Sequence, residues 1–164
     1  MDDADERHAL IRHTTRQFAD AKIRPVAVEL DASERFPEDL YREMAELGLF
    51  GITVAEELGG AGADCVAYAI VMEELARGYA SIADQCGLVE LVATLLAEHG
   101  TPAQHQRYLA PLLQARRRPA YAITEAEAGS DVSGIRTEAY RSPAGWRLYL
   151  SKLWIHNARL ADFA

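Results

Sequence analysis

Three groups of residues in this sequence of 164 could do chemistry. The glycines of Leu58-Gly59-Gly60-Ala61-Gly62 could cradle a phosphate on backbone N–H groups. No strand-to-helix G-x-G-x-x-G and no Lys-Ser/Thr pair accompanies them, so a tight connection between helices is expected. Glu74, Glu90 and Glu98 could accept protons, but a carboxylate on a helix ordinarily faces solvent, and that is expected of all three. The third group is split between Tyr121 to Asp131, reading YAITEAEAGSD, and Lys152-Leu153-Trp154-Ile155-His156-Asn157. Gly129 would let backbone approach a ligand more closely than a side chain permits. The His156 imidazole can donate, accept or carry charge near neutral pH. Taken alone, Glu125 to Asp131 reads as a loop with local side-chain turns, and Trp154 as a core aromatic.

Composition narrows the rest. With 49% hydrophobic and 26% charged residues the chain is of globular type and can bury a core. A net charge of -8 argues against a nucleic-acid or anionic-membrane surface, because phosphate binding needs clustered Lys and Arg. The one basic run, Arg116-Arg117-Arg118, is expected to complement a helix C-terminus and face water. Cys65 and Cys86 form no C-x-x-C pair and read as small buried hydrophobes, and no metal ligands are assigned. The acidic segment MDDADERHAL is followed by no apolar stretch of the kind a secretion signal carries. No unbroken run of about 18 apolar residues suggests a membrane span. A cytoplasmic protein without membrane or nucleic-acid partners is expected.

The elements that must position these residues fall into two domains, 1–118 and 119–164. In the first, Leu10, Ile11, Thr14, Phe18 and Ala21 form a helical stripe that Pro25 should kink or end. A second helix starts near Pro37 with Leu40, Met44 and Leu47 inward; Gly48 stops it and Leu49 folds back. Asp64 caps a third helix that ends at Gly78. Ser81 with Asp84 suggests a capping box for a fourth, with Leu88, Leu91, Val92, Leu95 and Leu96 as its stripe and Gly100 as its stop. Thr101, Pro102 and Gln104 open a fifth helix, with Tyr108, Leu109, Leu112 and Leu113 inward. Short loops between such helices imply an antiparallel bundle. After Pro119 the periodicity changes. Ala120 to Thr124 and Leu153 to His156 are strand candidates, and Ile135 to Arg141 with Trp146 to Leu150 is a hairpin about a Ser142-Pro143-Ala144-Gly145 turn. The expected class is therefore α+β: a helical bundle followed by an incomplete antiparallel β-sheet or barrel domain with an open edge.

In that order the segments resemble the acyl-CoA dehydrogenase family. The resemblance runs through Phe36-Pro37 to Leu47-Gly48-Leu49, Glu56-Glu57-Leu58-Gly59-Gly60-Ala61-Gly62, Glu73-Glu74-Leu75-Ala76, Gly100-Thr101-Pro102-Ala103-Gln104 and Arg107-Tyr108-Leu109. It continues in Thr124-Glu125-Ala126-Glu127-Ala128-Gly129-Ser130-Asp131 and Lys152 to Ile155. The resemblance implies an FAD-dependent oxidoreductase that removes two hydrogens from an acyl thioester. A carboxylate takes the α-proton while the flavin accepts the β-hydride. Residues matching Tyr121, Ile123 and Thr124 would line the flavin ring, with the hydroxyl and backbone groups at its polar edge. Gly129 and Ser130 would pass close to it, Ser130 also near the acyl-CoA phosphates. Trp154, with Ile155, would form an aromatic wall. His156 stands where the family has a hydroxyl residue near flavin N5.

The same resemblance implies that the catalytic Glu lies in a C-terminal four-helix domain that these residues do not include. No catalytic residue is therefore assigned here, and activity is expected to need residues beyond 164 or a partner chain. The departures are Ala126 in place of Pro, Leu150-Ser151 in place of Asn-Gly, and His156. They leave two further readings open: a non-catalytic binding or scaffold module, and a divergent flavoenzyme acting on a carrier-protein thioester or biosynthetic intermediate. Expected partners are an acyl-CoA or acyl-carrier thioester and either further copies of the chain, as a homo-oligomer, or a complementary chain.

Overall fold

The computed structural model describes residues 3–164, with side chains from residue 4; Met1 and Asp2 of the acidic N-terminal segment lie outside the described residues. The chain forms two compact units, Met1–Arg118 and Pro119–Ala164.

The first unit is helical. Helix α1 (Asp3–Phe18) passes into a π-helical turn, Ala19–Ile23, a 3-10 turn, Arg24–Val26, and then α2 (Ala27–Ser33). A second π turn, His105–Leu109, separates α6 (Pro102–Gln104) from α7 (Ala110–Leu113). Both π turns end two residues before a proline, Pro25 and Pro111. A wider turn there relieves the clash between the proline ring and the carbonyl one turn earlier, so Pro25 kinks the helical path without ending it. The stripe expected on α1 is only partly inward. Phe18 is buried and Thr15, Ala19 and Ile23 join it, whereas Leu10 is 65% exposed and Ala21 is exposed. The added residue of the π turn sends Ala19 and Ile23 inward, and α1 is oriented on α4 by polar contacts of His8, Arg12 and Arg16.

Helix α3 (Glu38–Glu46) buries Leu40, Tyr41 and Met44, while Leu47, expected inward, is exposed at the helix end. Gly48 adopts φ +71°, and the buried Leu49 returns its N–H to the Met44 carbonyl at 2.9 Å, as the stop signal requires. The glycine-rich connection folds back on the segment before it through Ala61 N–H to Gly51 O and Ala63 N–H to Ile52 O, both 2.9 Å. A Cβ on Gly60 would lie 2.1 Å from the Val54 carbonyl oxygen, a backbone atom that cannot swing aside. Gly60→Ala is therefore expected to destabilise the fold by about 3 kcal/mol, lowering the thermal midpoint by roughly 10 °C in a circular-dichroism melt.

Asp64 caps α4 (Cys65–Gly78) by accepting the Ala67 N–H at 2.8 Å. Helix α5 (Ala80–His99) follows after one residue, Tyr79, which at φ −163° closes α4 and opens α5 together. That single-residue joint displaces the expected Ser81–Asp84 capping box: Ser81 is already inside the first turn, and no side chain caps α5. By length and hydropathy α5 is apolar enough to cross a membrane, although polar residues interrupt its apolar run. Here it is the core helix of the bundle, burying Ile82, Cys86, Leu88, Val89 and Val92, with Leu91 and Leu95 exposed. Burial and the Glu90 carboxylate push the Cys86 thiol up to about 12, so it stays protonated, and it donates to Leu49 O at 3.1 Å. Cys65, expected to be buried, is exposed at the first turn of α4. Thr101 and Gln104 form the expected capping box of α6.

Of the arginine run, Arg116 is exposed as expected and Arg118 is not. The Arg118 side chain is 15% exposed, lies 4.0 Å over the Phe36 ring and pairs with Glu38 at 2.5 Å. It packs α3 against the end of the bundle, a role set by partners 80 residues earlier.

In the second unit β1 (Glu138–Ser142) pairs antiparallel with β2 (Gly145–Tyr149), Tyr140 opposite Arg147, with Gly145 at φ +124° closing the turn. The hairpin begins later than Ile135 because a 3-10 turn, Val132–Gly134, capped by Asp131, occupies the chain first. The other two strand candidates do not form ladders. Ala120 N–H reaches Phe163 O and Leu153 N–H reaches Thr124 O, each at 2.9 Å, but Trp154 at φ +57° and Asn157 at φ +59° turn the chain away. Among the described residues the sheet is two-stranded, and Tyr140, Trp146, Leu148 and Tyr149 on it are exposed.

Candidate functional site

The two motif segments come together in the second unit, and Glu125 is the reason. Its buried carboxylate accepts Lys152 Nζ at 2.8 Å, Arg136 N–H at 2.7 Å, and both the N–H and the hydroxyl of Thr137. Lys152 Nζ also donates to the Ile123 carbonyl at 3.1 Å, and Leu153 N–H to the Thr124 carbonyl at 2.9 Å. Residues 123–125 and 152–153 are thus latched side by side. After Glu125 the chain makes a tight turn closed by Glu125 N–H to Ala128 O at 3.0 Å and Ala128 N–H to Glu125 O at 3.2 Å, leaving Gly129 and Ser130 at the surface.

Around that latch the expected site residues are placed as follows. Tyr121, Ile123, Thr124 and Ile155 are half-buried; Gly129, Ser130, Trp154 and His156 are exposed, Trp154 at 89%. Trp154 is therefore not the core aromatic that it resembles in isolation. Among the described residues the Thr124 and Ser130 hydroxyls and the Trp154 indole N–H make no hydrogen bond, and a Cβ at Gly129 would meet nothing within 4 Å. Gly129 is thus not needed for internal packing, unlike Gly60. The set fits a flat, acceptor-rich ring: an outward aromatic face, two hydroxyl donors, and backbone that a ligand can approach.

Glu125 and Lys152 were present in the motifs without a role; the signal was two opposite charges, one in each segment. Hydrogen bonds from Lys152, Thr137 and the Arg136 N–H hold the Glu125 carboxyl down to about 2. A depressed carboxyl stabilises the fold above its unfolded value, and that contribution is lost as pH falls through the folded value. The latch's contribution to stability is therefore expected to be full from pH 8 to pH 5 and to fall between about 4.5 and about 2, with the contact itself opening at the lower end, where the folded carboxyl takes its proton. Tryptophan emission followed by pH titration should be flat in the first range and change in the second.

Two carboxylates expected to face solvent are core elements of the first unit. Glu74 is fully buried and held by Arg16 and Arg12 from α1 and Arg77 from α4 at 2.7 to 2.9 Å, which, led by Arg16, bring its carboxyl to about 2. Glu90, on α5, accepts Ile52 N–H at 2.6 Å, Thr53 N–H at 2.8 Å and the Thr53 hydroxyl at 2.6 Å. Each is already saturated by protein donors. Glu98 is exposed, beside His99.

The architecture is a helical N-terminal domain followed by a short antiparallel sheet. A family model described as acyl-CoA dehydrogenase, N-terminal domain, matches residues 5–116. The short-chain specific acyl-CoA dehydrogenase of Clostridium acetobutylicum is 36% identical over 93% of this chain and 41% of its own. The 3-(aryl)acrylate reductase of Clostridium sporogenes is 38% identical over 96% of this chain and 42% of its own. Among solved structures, butyryl-CoA dehydrogenase from Megasphaera elsdenii matches with a TM-score of 0.86 at 30% identity, over 99% of this chain and 43% of that one. Glutaryl-CoA dehydrogenase from Mycobacterium smegmatis in complex with FADH2 matches with a TM-score of 0.91 at 28% identity, over 99% and 41%. The chain belongs to the acyl-CoA dehydrogenase family. It spans about two fifths of the length of the curated relatives it matches.

Proposed function

We propose that this chain supplies the flavin-contacting side of an FAD-dependent acyl-CoA dehydrogenase, with residues 119–164 as the first strands of its middle β-domain. The observation that carries this reading is the latched pair of segments presenting Thr124, Gly129, Ser130 and Trp154 outward around one Glu125–Lys152 contact. Tyr121, Ile123 and Trp154 would hold the ring by apolar contact. Thr124 would meet its polar edge, Gly129 would admit it, and Ile155 and His156 would complete the segment beside it. Ser130, exposed next to Gly129, would also meet the thioester substrate. When bound, the flavin supplies the two-electron acceptor of the reaction.

A base that takes the α-proton must be a carboxylate with a free oxygen near the substrate. From the family resemblance we assign the base to polypeptide outside these 164 residues; consistent with that, Glu74, Glu90 and Glu125 are engaged by arginines, backbone N–H groups or Lys152. The substrate class is an acyl-CoA thioester. The exposed Trp146, Leu148, Tyr140 and Tyr149 of the hairpin support assembly with that polypeptide or with further copies of this chain.

The test is complementation. The chain is expected to oxidise a short acyl-CoA in the presence of FAD when the C-terminal domain of a family relative is co-expressed with it, and not without it. A folded, FAD-loaded pair that oxidises no acyl-CoA would count against the assignment.

A further inference from the structure

Trp154 combines three properties that rarely meet: a bulky side chain, a left-handed backbone at φ +57°, and 89% exposure. Left-handed backbone is disfavoured for a residue with a Cβ, and no buried contact of the indole compensates. Such a conformation persists only where flanking structure dictates it. Here the flanks do. On one side Lys152 is held by Glu125 and by Ile123 O, and Leu153 by Thr124 O. On the other, Ile155 is half-buried, and Asn157 donates from Nδ2 to Pro119 O at 3.3 Å while its own carbonyl accepts Leu160 and Ala161 N–H at 2.7 Å.

We infer that Glu125 and Lys152 are positioning residues which, by anchoring the chain just before Trp154, force that residue into its left-handed turn and hold the indole out as a preset face for the flavin ring. Its cofactor part rests on the function proposed above. The pair does not touch the ring; it acts through Trp154. A fixed aromatic wall loses less freedom on binding than a mobile one, so the effect is read in affinity.

The sequence holds two tryptophans, Trp146 and Trp154, so Trp146→Phe leaves Trp154 as the only reporter. In that background and without flavin, Lys152→Met, which keeps the stem and removes the ammonium, is expected to lower the fluorescence anisotropy of Trp154. It should also weaken FAD binding about tenfold. Lys152→Arg, which can still pair with Glu125, is expected to restore most of both. Unchanged anisotropy in a folded Lys152→Met protein would overturn the inference. Should that variant fail to fold, Trp154→Gly decides independently. Glycine adopts the left-handed turn freely, so the thermal midpoint should hold or rise while FAD affinity falls; a lowered midpoint would contradict a residue held against its preference. A parent protein that binds no FAD would sink the flavin assignment alone, because the anisotropy and midpoint readouts are taken without flavin.

Discussion

Replacing Glu90 with alanine is expected to lower the stability of the helical unit by about 4 kcal/mol. The reason is accounting of donors. Glu90 sits on α5 at 5% exposure, and its two oxygens accept the N–H groups of Ile52 and Thr53 and the Thr53 hydroxyl. These groups belong to the irregular segment between α3 and α4, where no helix or strand can satisfy them. Truncation leaves two backbone donors in a largely buried segment without an acceptor and opens a space the size of the side chain. Each charge-assisted bond of this kind is worth about 1.5–3 kcal/mol. In a thermal melt the midpoint should fall by about 15 °C. Glu90→Gln, which keeps one acceptor and turns an NH2 group towards the other donors, should fall between. A fall of less than about 3 °C for the alanine variant would show that the segment finds other acceptors and that Glu90 is not its organiser.

The second large effect is on binding, and it contrasts two glycines. Gly60 stands against a backbone oxygen, so a methyl group there damages the fold. Gly129 has nothing within 4 Å of where a Cβ would be, and its backbone is not left-handed. Gly129→Val is therefore expected to leave the thermal midpoint within about 1 °C, as for an exposed position free of special contacts. If a flavin approaches the backbone there, the valine side chain occupies part of its space, and FAD affinity should drop by more than about tenfold, or about 1.4 kcal/mol. Equal affinity in parent and variant, measured by FAD titration, would place the flavin elsewhere.

How much of this was legible beforehand differs between the units. The ends of helices are local chemistry, and Asp64, Gly48, Gly78, Gly100 and the Thr101–Gln104 box mark them correctly because each signal needs only neighbours within one turn. The inward faces were less legible. Leu10 and Ala21 fit a helical stripe, yet the π turn before Pro25 and the ion pairs to Glu74 decide which way α1 turns. Glu74, Glu90 and Arg118 differ from their expected solvent exposure for the same reason. A charged residue on a helix reads as solvated unless its partners are known, and apart from Arg77, the next turn's neighbour of Glu74, theirs lie 37 or more residues away.

In the second unit the motif residues stood out by type and order, but their organisation did not. The strand patterns at Ala120–Thr124 and Leu153–His156 do not form ladders: the bonds Ala120 N–H to Phe163 O and Leu153 N–H to Thr124 O stand singly, and Trp154 turns the second segment out of an extended path. The contact that joins the segments, Glu125 to Lys152, pairs residues 27 apart and could have been suspected from their opposite charges alone. The left-handed turn at Trp154 has no sequence signal, since tryptophan is a residue that ordinarily avoids it.

Hydrogen–deuterium exchange of residues 1–164 with and without saturating FAD shows whether the two latched segments hold the flavin. Slowed exchange is expected at the amides of 121–131 and 152–157 on adding FAD, with little change along α1 to α3. Saturable FAD binding that leaves both segments exchanging as before would contradict it.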